Sequence, residues 1–154
     1  MSSLIVPQGS VALAAADSII DAALEHGRTL ELGPLTVAVL DSAGQLVAFK
    51  RQDYSSLLRP RIAQAKAAGA LGMGMGSRGL AERAQAFPAF INSVTALAEG
   101  YLVPVPGGVL IHDGSGMVLG AVGISGALPD QDELCAVHGI SSVGLVAVTG
   151  AVAH

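Results

Sequence analysis

Hydrophobic and polar positions recur along the chain with two periods, and the changes of period mark its elements. In the run VALAAADSIIDAALEH, residues Val11, Ala14, Ala15, Ile19, Ala22 and Ala23 return every three or four positions, the signature of one buried helical face. Ser10 is placed to cap this helix and Gly27 to end it. The period then drops to two. Apolar and β-branched runs at 36–40 and 45–51 flank a short turn rich in Asp, Ser and Gly at 41–44, which predicts a β-hairpin. Helical spacing returns at Pro60, a residue tolerated in a first helical turn, and continues to about Leu71 with alanines at 63, 67 and 70. Those alanines make a smooth face that admits another backbone. The glycines of GMGMGS break the helix, Ser77 is a candidate cap for LAERAQAF, and Pro88 opens a third short helix reaching Glu99.

The second half reads as strands again. A short strand is expected near 101–103. VPGGVLIHD and MVLGAVGIS flank Gly114, Ser115 and Gly116, a second hairpin. A last helix opens at Pro129 and Asp130. Asp130 and Glu133 have the spacing of a capping box, and Asp130, Asp132 and Glu133 complement the positive end of the helix dipole. Hairpins imply an antiparallel sheet, and amphipathic helices must cover it, so the fold class is α/β (α+β). No repeat or linker divides the 154 residues, which form one domain with a core at about 7–143 and an apolar tail at 144–154.

Composition changes this picture in one respect. Charged residues are 13% of the chain, against about 25% for an ordinary soluble domain. The longest apolar stretch, 144–153, is interrupted by Thr149 and Gly150 and is too short to span a bilayer. The N-terminus lacks the basic and apolar regions of a signal peptide. Burial between subunits is therefore the expected outlet for the apolar surface, at the Ala-rich helix 62–71 and the tail 144–153, giving at least a dimer. A net charge of −4, scattered cations, two tyrosines and three phenylalanines exclude the basic, aromatic-lined surface of a nucleic-acid binder. The single cysteine, Cys135, has no partner for a bridge and suits a reducing, cytoplasmic setting.

The segments LTVAVLDSAGQLVAFKRQD, QAKAAGA, PGGVLI, GAVGISG and PDQDELCA follow one another in this order. Together they resemble the GlcG/HbpS-like family, also described as haem-degrading HbpS-like, which includes the C-terminal domain of PduO-type proteins. The resemblance runs over about 7–143. It implies a profilin-like fold, a five-stranded antiparallel sheet covered by helices on both faces. It also implies a homo-oligomer, haem or a related tetrapyrrole as the candidate ligand, and a place beside catabolic enzymes.

The residues themselves leave several chemistries open. Lys66 is the only charge in its helical turn, so it can hold a carboxylate or phosphate or act as a base; alternatively its stem lies on the surface with the ammonium in water. Asp130, Asp132 and Glu133 can hold a cation, exchange protons, or pair with Lys66 or Arg51 across the subunit, although capping accounts for Asp130 and Glu133. Gly107 and Gly108 permit a close approach to a ligand or form a plain turn. GMGMGSR is no phosphate loop, since its glycines follow a helix and no GK[ST] is present. His26, His112, His138 and His154 are scattered and form no HxH or HxxxH pair, so no protein-only metal site is expected. Cys135 reads as a buried small hydrophobe.

Two functions follow. As a small-ligand-binding protein, the chain holds an anionic or planar ligand through Arg51, Lys66, Gly107 and Gly108. As a cofactor-independent enzyme (hydrolase, isomerase or hydratase) acting on a small organic acid, it divides acid and base work among Lys66, Asp132 and Glu133. A ligand-free assembly role is the third reading. In the first two, Lys66, Gly108 and Asp132 converge to within roughly 15 Å, within one chain or across a subunit boundary.

Overall fold

A computed structural model describes residues 9–152; the start of the expected core at 7–8 and the end of the expected tail at 153–154, with His154, lie outside them. The order is α1 (Leu13–Thr29), β1 (Thr36–Asp41), β2 (Leu46–Arg51), α2 (Arg59–Met73), α3 (Ser77–Ala86), α4 (Pro88–Leu97), β3 (Gly108–His112), β4 (Val118–Ser125), α5 (Pro129–Ser142) and β5 (Val146–Val148). The strands form one antiparallel sheet in the order β2-β1-β4-β3-β5. Both predicted hairpins are present, β1–β2 and β3–β4.

Strand alternation sends side chains to two cores. Val37, Val39, Val109, Ile111, Val122 and Ile124 meet α1 and α5 through Ile19, Ile20, Cys135 and Ile140. On the other face Leu40, Leu110 and Ala121 meet Ala67 and Ala70 of α2. The second layer is thin because its residues are small. A β-carbon at Gly123 would fall on the Ala63 carbonyl oxygen, and one at Gly108 on that of Lys66, so α2 lies backbone to backbone on β4 and β3.

This contact gives one face of the Ala-rich helix a use within the chain. Its small face receives the chain's own sheet, and Ala63, Ala67 and Ala70 are fully buried there. The tail also has another use. Residues 146–148 form the fifth strand, pairing with β3, whereas 101–103 form no strand and bury Leu102 against Gly69.

Helix ends differ from the reading of the sequence as well. α1 starts at Leu13 without a side-chain cap, because the Ser10 hydroxyl bonds that of Ser42 at 2.6 Å. Gly27 lies inside α1, where its missing side chain makes room for Leu35. The buried face is Ala16, Ile19, Ile20, Ala23, Leu24 and Gly27, rotated from the expected stripe, and Ala14 is exposed. Ser77 is the first residue of α3 and accepts a hydrogen bond from the Gly108 N–H at 2.7 Å instead of capping its helix. Asp130 and Glu133 form no capping box, since Leu128 precedes the first turn of α5 and its N–H donates to Gln131 Oε1.

Candidate functional site

Lys66 and Asp132 meet where the two helical layers reach the same end of the sheet. Lys66 is 3% exposed and Asp132 1%. The ammonium Nζ donates to Asp132 Oδ2 at 3.0 Å and to the Ile124 carbonyl at 2.9 Å. The other carboxylate oxygen accepts the Ala127 N–H at 2.9 Å, which fixes the start of α5. Burial lowers the Lys66 pKa and the Asp132 carboxylate opposes it; burial raises the Asp132 pKa and the Lys66 ammonium opposes it. Desolvation is the larger influence on both groups, and each charge offsets part of the other's penalty.

Gly107 and Gly108 close over this pair. Gly107 has φ +122°, a conformation that favours glycine, and a β-carbon there would lie 2.9 Å from Lys66 Nζ and 3.1 Å from the Asp132 β-carbon. Lys66, Asp132, Gly107 and Gly108 therefore converge, and they do so within one chain. They form a sealed contact. A ligand reaches the ammonium only if the Gly107 segment moves.

Glu133 turns the other way. Arg78 Nε lies 2.9 and 3.0 Å from its two carboxylate oxygens, and Arg78 Nη2 donates to Asp130 at 2.6 Å. Burial raises the Glu133 pKa against the pull of Arg78. Arg78 Nη1 has no hydrogen-bond partner among the described residues. The guanidinium lines an open depression of about 390 Å³, with Pro106, Leu128 and Pro129 as apolar walls and Glu82, Gln85 and Asp130 at its margin. Such a volume falls within the roughly 300–1,000 Å³ of small-ligand sites.

Arg51 does not join this group. It is exposed at the end of β2, opposite Thr36, and contacts none of Lys66, Asp132 or Glu133 among the described residues. Within the chain, the cation that pairs with Asp130 and Glu133 is Arg78. Arg59, whose Nη1 donates to Ser125 Oγ at 3.1 Å, is the second cation acting on the Lys66–Asp132 pair. The sequence offered one clue to Arg78: it stands one residue after Ser77 at the start of a helix, directly after the glycines.

The histidines also need correcting. His26 of α1 and His138 of α5 are stacked, with ring centroids 4.2 Å apart and planes at 7°. Burial and the neighbouring His138 lower the His26 pKa. Parallel rings point their in-plane lone pairs side by side instead of toward a shared point, so the arrangement is not a chelate. Among the described residues no group of three or more His, Cys, Asp or Glu is disposed to hold a metal ion. No helix there is long and apolar enough to cross a membrane.

The comparisons with known proteins follow the same lines. A profile of the family described as "Haem degrading protein HbpS-like" matches residues 11–141. Among curated proteins none matches the chain. The crystal structure of a PduOC:haem complex is similar with a TM-score of 0.80 and 23% identity, covering 88% of this chain and 96% of that one. The crystal structure of HbpS gives 0.77 and 23%, covering 94% and 99%. The Klebsiella pneumoniae protein ORFY, of the family model DUF336, gives 0.77 and 22%, covering 92% and 99%. At these identities the three structures establish the shared fold.

Proposed function

Taking as premise that the chain belongs to the HbpS-like family, we propose that it is a cytoplasmic, homo-oligomeric protein binding a planar organic acid, with haem or a related tetrapyrrole as the leading candidate. The observation that carries this reading is Arg78. Its guanidinium is oriented by Glu133 and Asp130, keeps an Nη1 with no partner among the described residues, and lines a depression walled by Pro106, Leu128 and Pro129. A fixed guanidinium recognises carboxylates, and the proline and leucine walls suit a flat apolar ring.

The fit to haem is partial and specific. The depression supplies a partner for a propionate and an apolar face, but among the described residues its lining holds no His, Met, Cys or Tyr to ligate iron. The ring system and its acid groups then contribute the affinity, and the iron adds little. Haem supplies iron redox chemistry wherever it is bound; the role of this chain's residues is to bind and orient. The enzyme reading draws less support, because Lys66 and Asp132 are sealed beneath Gly107 and Glu133 is buried against Arg78.

Titration with haemin and with iron-free protoporphyrin IX tests this. Both are expected to bind with affinities within about threefold of each other, and Arg78→Ala should weaken both by about tenfold, the loss of one charge-assisted contact. Tight one-to-one haemin binding abolished by His26→Ala or His138→Ala, with no binding of the iron-free ring, would refute it.

A further inference from the structure

One continuous part of the chain's exposed apolar surface lies on α4 and its two flanks. Its ten residues, PAFINSVTAL, carry no charge, and only Ile91 is buried. Phe90, Val94, Leu97 and Tyr101 recur at spacings of four and three, one stripe along the helix and its exit. Phe90 is 52% exposed, Leu97 84% and Tyr101 66%, and Phe87 at the helix start is 65% exposed. Beside this stripe runs a groove of about 220 Å³ whose opposite wall is α2, at Ala68, Gly69, Gly72 and Met73. Gly72 has open space where a side chain would project. A row of protruding apolar side chains thus adjoins a shallow apolar channel.

We infer that this face, formed by α4, Tyr101 and the outer side of α2, is the contact through which a second copy of the chain docks. Charge complementarity points to that occupant. Arg61 and Glu99 both line the depression next to Tyr101, and neither forms an ion pair among the described residues. In a two-fold contact every pairing occurs twice, so an Arg61 of one copy facing Glu99 of the other neutralises all four charges with a single arrangement. The area is also of the required order. Phe87, Phe90, Leu97 and Tyr101 together expose on the order of 400–500 Å² of apolar surface, and the groove and its charged margin bring this near the ~800 Å² per partner of a standard interface.

The inference rests on the homo-oligomer proposed above and gives that oligomer its contact. It keeps the Ala-rich helix at the contact through its outer side, Ala68 and Gly69, while the inner face packs within the chain and residues 146–148 of the tail pair as β5. It is independent of the ligand reading, since Arg78 lines a different depression.

The test is sedimentation of the full chain at micromolar concentration, alone and as Leu97→Glu, Arg61→Glu and the exchanged pair Arg61→Glu/Glu99→Arg. The wild type should sediment as a dimer or larger. Leu97→Glu should weaken association at least about 30-fold, as for a central contact residue. Leu97 is exposed in the single chain, so circular dichroism should be unchanged. Arg61→Glu should weaken association and the exchanged pair should restore it. A monomeric wild type refutes both the oligomer and this surface. An oligomer that survives Leu97→Glu with unchanged size refutes the surface alone.

Discussion

Replacing Lys66 by methionine removes the charge and keeps most of the stem, which isolates the electrostatic role of the buried pair. Asp132 then keeps the Ala127 N–H and loses its only cationic hydrogen-bond partner among the described residues, in a position 1% exposed. Removing one member of a buried ion pair costs about 3–5 kcal/mol, because the remaining charge is neither solvated nor paired. With a urea m-value of about 2 kcal/mol/M, the unfolding midpoint should fall by about 2 M at pH 7. The pH dependence gives the sharper test. Without Lys66, the Asp132 pKa in the folded state rises further above its unfolded value, so the deficit is full at neutral pH. It shrinks as acidification through that raised pKa neutralises the carboxyl. Asp132→Asn leaves the ammonium unpaired and has the opposite slope, its deficit shrinking as alkali deprotonates a lysine whose pKa burial already lowers. The double variant should be less damaged than the sum of the two. Urea titrations from pH 5 to 9 measure all of this. A Lys66→Met loss below about 1 kcal/mol, or equal slopes for the two single variants, would refute the account.

Other outcomes follow from the packing and the titrating groups. Gly123→Ala should cost about 3 kcal/mol or more in urea unfolding, since the added carbon meets the Ala63 backbone in an interface with no flexible side chain to yield. The His26 pKa is lowered below its unfolded value of 6.5, so the neutral ring is the one the fold favours. Stability from it is present above pH 6.5 and is lost as pH falls through the folded value. Thermal melts from pH 7.5 to 5 should therefore decline less in His26→Gln than in the wild type. The Cys135 thiol, buried and pushed up to about 11, should resist a disulfide reagent at pH 8 until urea unfolds the chain.

Local chemistry made the two hairpins legible. Asp41 and Asp113 each stand at the head of a turn whose N–H groups their side chains accept, and glycine follows in both. The helices were legible in number, because proline and glycine punctuate them, but their ends were not. Ser10 and Ser77 have the right chemistry for caps and are drawn away by partners distant in the chain, Ser42 and Gly108. The convergence of Lys66, Gly107, Gly108 and Asp132 was legible through the family resemblance. Its burial was not, because exposure depends on how closely two backbones approach. Arg78 and the His26–His138 stack depend on which helices become neighbours, and no spacing within either helix records that. The fifth strand was misplaced for a related reason: the tail 144–153 and the segment 101–103 are both short and apolar, and only the free edge of β3 decides between them.

The Lys66–Asp132 contact also bears on how the chain folds. Its partners stand 66 residues apart, one in the half that ends with α2 and the other in the half that completes the sheet. Each half therefore carries a charge that it cannot neutralise from its own residues at that place, and β1 likewise waits for β4 as its neighbour. A fragment ending after α2 would have to leave Lys66 in water and its small-residue face uncovered. The two halves are therefore expected to become stable together, so that equilibrium unfolding is a single concerted transition instead of the melting of two successive units.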